Sequence, residues 1–91
     1  MIKTFMNDNY KLLKLMYDNQ IIVINKKFVP LTQMELSTEL GFSKMKTNAI
    51  FLDLQQEGYI KKIARGKYCL SDKAERIVST IDKIEKEIIN D

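Results

Sequence analysis

Apolar residues recur at helical spacing in some stretches of this 91-residue chain and cluster in strand-like runs between them. Phe5, Leu12, Leu13, Met16 and Tyr17 give spacings of three and four, which predicts a helix over residues 4–19 with one apolar stripe. Ile21-Ile22-Val23-Ile24 is too short and too β-branched for a helix and reads as a strand. Asn25-Lys26-Lys27 is predicted to turn the chain, and Phe28-Val29 to pair back before Pro30 ends the strand. Leu36 and Leu40, then Thr47, Ile50, Phe51 and Leu54, mark the apolar faces of two further helices. Two β-rich runs follow, residues 59–63 and 67–70, joined by Ala64-Arg65-Gly66. In a last helix over residues 72–89, Ile77, Ile81, Ile84 and Ile88 stand four, three and four apart, which is a heptad seam.

The punctuation between these runs is as specific as the runs themselves. Thr32-Gln33-Met34-Glu35 fits a capping box, in which the hydroxyl accepts the Glu35 amide and the carboxylate reaches back to the Thr32 amide. Gly41 is placed to stop that helix, because glycine takes a positive φ without steric cost. Ser43 caps the next helix, residues 44–57, and Gly58 ends it. Ser71 caps the last, with Asp72 and Glu75 near its positive end. A short helix, a tight turn, a second helix and a basic hairpin form the architecture whose second helix enters a DNA major groove. The predicted fold class is α+β, mainly α. It is a winged helix-turn-helix with a three-helix core, a small β-hairpin wing and a C-terminal dimerisation helix. The whole is read as one domain over residues 1–91, with the helix-turn-helix at 32–57, the wing at 59–70 and the C-terminal helix at 71–89.

Three segments carry a resemblance to a known family. They are Leu31-Thr32-Gln33-Met34-Glu35-Leu36, Glu39-Leu40-Gly41-Phe42-Ser43, and Leu54-Gln55-Gln56-Glu57-Gly58-Tyr59-Ile60. Their order and spacing resemble the winged-helix transcription regulators, closest in pattern to the MarR-type and PadR-type repressors. The resemblance covers about 40 residues. It implies a second motif helix that reads bases, a wing on the flanking backbone, and a strand upstream of the motif that joins the wing in a three-stranded sheet. Either residues 28–31 or residues 21–24 are expected to supply that strand. One departure is Ala49, which stands where many relatives place an Arg in the middle of the reading helix.

Charge sharpens this picture. The net charge of +3 is segregated: residues 26–67 hold eight Lys and Arg against four acids, whereas residues 71–91 hold four against six. The basic excess thus falls on the reading helix and wing, where phosphates would lie. On the reading helix the candidate DNA-binding residues are Ser43, Lys44, Lys46, Thr47 and Asn48, with Gln33 at the start of the preceding helix. Asn48 suits a bidentate pair with adenine, Lys44 and Lys46 suit guanine or phosphate, and Ser43 with the helix terminus suits a phosphate oxygen. Thr47 also fits the core stripe. At the wing the candidates are Lys62, Arg65 and Lys67, with the planar Arg65 fork fitting a narrow minor groove or a phosphate.

Other functions find no support in the residues. Histidine is absent and Cys69 is the single cysteine, so a metal site, an internal disulfide and a nucleophile–base pair all lack their usual parts. No phosphate loop, dinucleotide fingerprint or zinc spacing occurs. The expectation is a protein that is no enzyme, with no catalytic residues, no metal and no cofactor. Cys69 reads as a small buried side chain on its strand. No apolar run approaches the ~20 residues of a bilayer span, and no signal-peptide pattern opens the chain, so no membrane partner and a cytoplasmic location are expected. A chain of this length leaves no room for a separate ligand-binding module.

The partners expected are double-stranded DNA and a second copy of the chain. Ile77, Ile81, Ile84 and Ile88 are the candidate dimer interface, though the last helix can instead fold back on the first and bury the same stripe, and an all-isoleucine seam also permits a higher assembly. The leading expectation is a homodimeric, sequence-specific transcriptional repressor. Open beside it are a DNA-binding module of plasmid, phage or transposon replication or partition, and a winged helix used only for protein–protein contact.

Overall fold

The computed structural model describes residues 7–90, and these form four helices and two hairpins. Helix α1 (Asp8–Asp18) leads to strands β1 (Ile21–Val23) and β2 (Lys26–Phe28), then helices α2 (Gln33–Leu40) and α3 (Lys44–Gln56). Strands β3 (Ile60–Ala64) and β4 (Lys67–Leu70) follow, and helix α4 (Asp72–Asn90) ends the described chain. Helix α1 starts later than its apolar spacing predicts. The Asn7 side chain caps it by accepting the Tyr10 amide at 2.8 Å. Thr4 and Phe5, which the reading placed in this helix, lie outside the described residues.

Local chemistry accounts for each boundary of the motif. The capping box forms, with Glu35 N–H donating to Thr32 Oγ1 at 3.1 Å and Thr32 N–H donating to Glu35 Oε1 at 3.0 Å. Gly41 adopts φ +70, and this lets the Phe42 N–H reach back to the Ser37 carbonyl at 3.0 Å. Ser43 Oγ accepts the Lys46 N–H at 3.0 Å to open α3. Ser71 Oγ accepts the Ala74 N–H at 3.2 Å to open α4.

The core lies among α1, α2, α3 and the second hairpin. Leu12 and Met16 of α1, Leu36 of α2, and Ile50, Phe51 and Leu54 of α3 are buried together. Ile60, Tyr68 and Leu70 close it from the second hairpin. Fully burying one such side chain stabilises by about 1.5–3 kcal/mol. The Phe51 and Tyr68 rings meet with centroids 4.9 Å apart, tilted by 59°, the offset geometry that aromatic pairs favour.

Both hairpins differ in detail from expectation. The first turns at Ile24 and Asn25, both with positive φ, rather than over Asn25-Lys26-Lys27. A two-residue turn of this hand matches strand twist and demands positive φ at both central residues. The second pairs Ile60 with Leu70 and Lys62 with Tyr68, then carries a bulge at Ile63 before Ala64 pairs with Lys67. Ala64 is therefore strand, and the turn is Arg65-Gly66 alone. No continuous three-stranded sheet forms among the described residues. One bridge joins the hairpins instead, with Val29 N–H donating to the Tyr68 carbonyl at 2.7 Å. Residues 28–31, not 21–24, supply that contact.

Helix α4 packs on α1 and β4 through Ala74 and Val78, both fully buried. An ion pair between Lys14 Nζ and Asp82 Oδ1 at 3.2 Å extends the α1 contact. The stripe turned inward is thus displaced from the isoleucine seam. Ile77, Ile84 and Ile88 are exposed and Ile81 is half-buried.

Candidate nucleic-acid interface

Helix α3 presents one face to the core and the other to solvent. Thr47, Ile50, Phe51 and Leu54 point inward, at helical spacings of three, one and three. Ser43, Lys44, Met45, Asn48, Ala49 and Leu52 are exposed. Lys44 and Asn48 therefore stand as the residue reading expects, in the N-terminal half of the helix and free of the core.

Three expected contacts are placed otherwise. Thr47 is fully buried, and its Oγ1 donates to the Ser43 carbonyl at 3.0 Å. Its threonine methyl belongs to the core stripe, so Thr47 is corrected from a DNA contact to a packing residue. Lys46 turns toward α1, where Nζ lies 2.5 Å from Asp8 Oδ2 and 4.3 Å from the Phe42 ring centre. This hydrogen bond from Lys46 holds the Asp8 carboxyl below the usual carboxylate range. Lys46 thus ties α3 to α1 rather than extending the exposed ridge. Gln33 is half-buried, and its Nε2 donates to the Tyr68 hydroxyl at 3.3 Å, linking α2 to the wing.

The start of α3 is electrostatically unusual. Its first turn holds Lys44 and Lys46 and no acid, whereas α2 opens with Glu35 and α4 with Asp72 and Glu75. A cation at the positive end of a helix is unfavourable by roughly 0.3–1 kcal/mol. A phosphate beside this terminus would reverse the sign of that interaction. Asp8 answers Lys46 within the chain, so Lys44 is the cation left uncompensated at this helix start.

The wing supplies the second group of cations. Lys62 and Arg65 are exposed, and Gly66, at φ +73, permits the tight turn that carries Arg65 at its tip. Lys67 is exposed with its ammonium 5.4 Å from the Phe28 ring centre, a contact that braces the two hairpins together. The ion pairs of the described residues employ Lys11, Lys14, Lys27, Lys46 and Lys86. Among those residues, Lys44, Lys62, Arg65 and Lys67 therefore face solvent without a carboxylate partner, as do Lys61 on the same hairpin and Lys26, Lys73, Arg76 and Lys83 elsewhere. Among the described residues, the acids held in ion pairs are Asp8, Asp18, Glu75 and Asp82. Burial alone would lower the Lys14 pKa, but hydrogen bonds to Asp18 and Asp82 outweigh it and raise the value.

Residue reading missed three features here. Met45, Ala49 and Leu52 form the outermost ridge of α3, and no periodicity argument singles out an exposed apolar residue. Cys69 is half-buried rather than buried, and Lys61 lies directly across from it in the strand register. The α1–Asp8 tether of Lys46 depends on a contact 38 positions away in the chain, beyond the reach of local pattern. No three metal-ligating side chains are grouped among the described residues, and no helix there is long and apolar enough to cross a membrane.

No protein-family model matches the chain, and no curated protein matches it. Solved structures do. The fold is similar to part of the reduced (FeII) CO-sensing protein from R. rubrum, with a TM-score of 0.70 and 20% identity over 86% of this chain and 38% of that one. It is also similar to part of a transcriptional regulator of the CRP/FNR family from Thermus thermophilus, with a TM-score of 0.66 and 18% identity over 88% of this chain and 42% of that one. The chain thus spans about two-fifths of the length of these proteins. Neither is described as a MarR-type or PadR-type protein, so the narrower resemblance drawn from the motifs gains no support from them. At such identities the likeness is one of fold: four helices and two small antiparallel hairpins among the described residues, an arrangement compatible with a helix-turn-helix with a wing and shared with parts of these two larger proteins.

Proposed function

We propose that this chain binds double-stranded DNA sequence-specifically and regulates transcription as a cytoplasmic homodimer, most simply as a repressor that occupies its operator. The carrying observation is the set of unpartnered cations on one motif: Lys44 at the lysine-rich start of α3, and Lys62, Arg65 and Lys67 on the wing. The likeness in fold to a transcriptional regulator supports the same reading. Asn48 would pair with an adenine edge in the major groove while the wing cations lie against phosphates or in the minor groove. No catalytic step is assigned to any residue.

The dimer is proposed through α4, because Ile77, Ile84 and Ile88 remain exposed once Ala74 and Val78 have satisfied the chain's own core. Two-fold pairing would present two α3 helices about one DNA turn apart, roughly 34 Å, and so favour an inverted-repeat operator. Selection of a preferred duplex from a random pool, followed by anisotropy titration, tests the reading. Asn48→Ala should cost about 1–3 kcal/mol at one base position and leave non-specific binding intact. Sedimentation of Ile84→Asp/Ile88→Asp should give monomers with weakened operator binding. A parent protein that is monomeric at tens of micromolar, or that binds no duplex, would overturn the corresponding half of the proposal.

A further inference from the structure

The outermost ridge of α3 is apolar. Met45 is 83% exposed and Leu52 51%, and the exposed Ala49 lies between them at helical spacing. Asn48 borders the ridge and Lys44 precedes it. An exposed apolar side chain by itself means little. This ridge differs because of its setting. It begins beside Lys44, which is exposed and has no carboxylate partner, and the same motif holds the unpaired cations Lys62, Arg65 and Lys67 of the wing. Its partner must therefore offer negative charge at the edges and apolar groups at the centre. An apolar protein surface supplies only the second. A DNA duplex supplies both, with phosphates along the rims of the major groove and thymine C5 methyl groups on its floor.

The dimensions agree. Met45 to Leu52 spans seven residues, about 10.5 Å of helix axis at 1.5 Å per residue, which equals about three base-pair steps of 3.4 Å. Asn48, beside the ridge, suits the adenine N6 and N7 edge of those same steps. Ala49 adds a methyl group and, unlike an arginine, offers no fork for guanine. Resting on the reading of the chain as a DNA-binding regulator, we infer that Met45, Ala49 and Leu52 select thymine methyl groups, so that the base pairs under the middle of α3 are A·T.

The test uses labelled duplexes of four kinds at one low salt concentration: alternating dA·dT, alternating dA·dU, alternating dG·dC, and dG·dC with every cytosine 5-methylated. Deoxyuridine differs from thymidine only by the missing methyl, and 5-methylcytosine adds one at the same place in the groove. The parent should bind dA·dT more tightly than dA·dU by about fourfold per methyl engaged, the equivalent of about 0.8 kcal/mol of buried methyl. Methylated dG·dC should be preferred over unmethylated in the same direction. Met45→Ala/Leu52→Ala should reduce both preferences to what the Ala49 methyl alone supports, while keeping the parent's salt slope and circular dichroism. Met45→Gln/Leu52→Gln, which keeps side-chain length at both exposed sites, should do the same. Equal binding of dA·dT and dA·dU with a normal salt slope would overturn methyl readout and leave DNA binding standing. A preference of the parent's full size in both double variants would overturn the assignment to Met45 and Leu52, and with it the apolar ridge as the methyl reader. Failure to bind any duplex would overturn the DNA-binding reading, and methyl readout with it.

Discussion

Both hairpins close on two-residue turns, yet the first leaves Ile22 68% and Ile24 89% exposed while the second buries Ile60, Tyr68 and Leu70. By composition the opposite would be expected, since the first is the more apolar and the second carries Lys61, Lys62, Arg65 and Lys67. The second alternates. Its core-facing positions insert between α3 and α4, and the Phe51–Tyr68 pair anchors it. The first has no alternation to exploit, because four β-branched residues in a row send apolar side chains to both faces of a ribbon. Its hold on the molecule comes from β2 and the residue after it, through Lys27 on Glu75 at 2.7 Å, Lys67 over the Phe28 ring, and Val29 on the Tyr68 carbonyl. Apolar content therefore makes a strand, but alternation and a neighbouring helix make it an anchored one.

The largest contrast should appear on truncating each hairpin. Tyr68→Ala removes a buried ring, its Phe51 contact and the Gln33 hydrogen bond, and should destabilise by about 3–5 kcal/mol in urea unfolding. Ile22→Ala, at an exposed site, should stay within about 0.5 kcal/mol of the parent. Equal losses at the two sites would show that the first hairpin is anchored by contacts not described above.

Function should divide the hairpins the other way. Arg65→Ala/Lys67→Ala should lower the slope of log affinity against log salt by about two units, one per phosphate contact, and weaken all sequences alike. Replacing Lys26, in the first hairpin, should leave that slope unchanged.

A gain is expected at the first turn. Ile24 has φ +49, a left-handed conformation that costs a β-branched residue roughly 1–2 kcal/mol. Ile24→Asn should raise stability by about 1 kcal/mol, read as a higher urea midpoint at unchanged m-value. A lower midpoint would mean that the isoleucine side chain is held by something of greater worth than the strain.

The smallest effect concerns pH. The Lys46 hydrogen bond lowers the Asp8 pKa in the folded state, so the interaction stabilises above the ordinary carboxylate pKa, about 4. It is lost as pH falls through the depressed folded value. Asp8→Asn should flatten the acid limb of the stability curve slightly and leave neutral stability nearly unchanged, because the pair is exposed to solvent. A variant that loses stability only at alkaline pH would contradict that sign.

Local rules made much of this molecule legible without coordinates. The Thr32 capping box, the Gly41 stop and the Ser43 and Ser71 caps involve partners within a few residues, so the sequence alone determined the order of elements and the boundaries of the motif helices. Lys44 and Asn48 were legible for the same reason, since helical periodicity separates them from Ile50, Phe51 and Leu54. Tertiary structure decided the rest. Lys46 went to Asp8, Gln33 to Tyr68 and Thr47 into the core, because each choice depended on which element packed alongside. The same holds for α4, whose inward stripe became Ala74 and Val78 only once α1 and β4 had set the angle of approach. A periodic pattern states that a face is apolar. Which apolar face is spent within the chain, and which is left for a partner, follows from the packing of residues far apart in sequence.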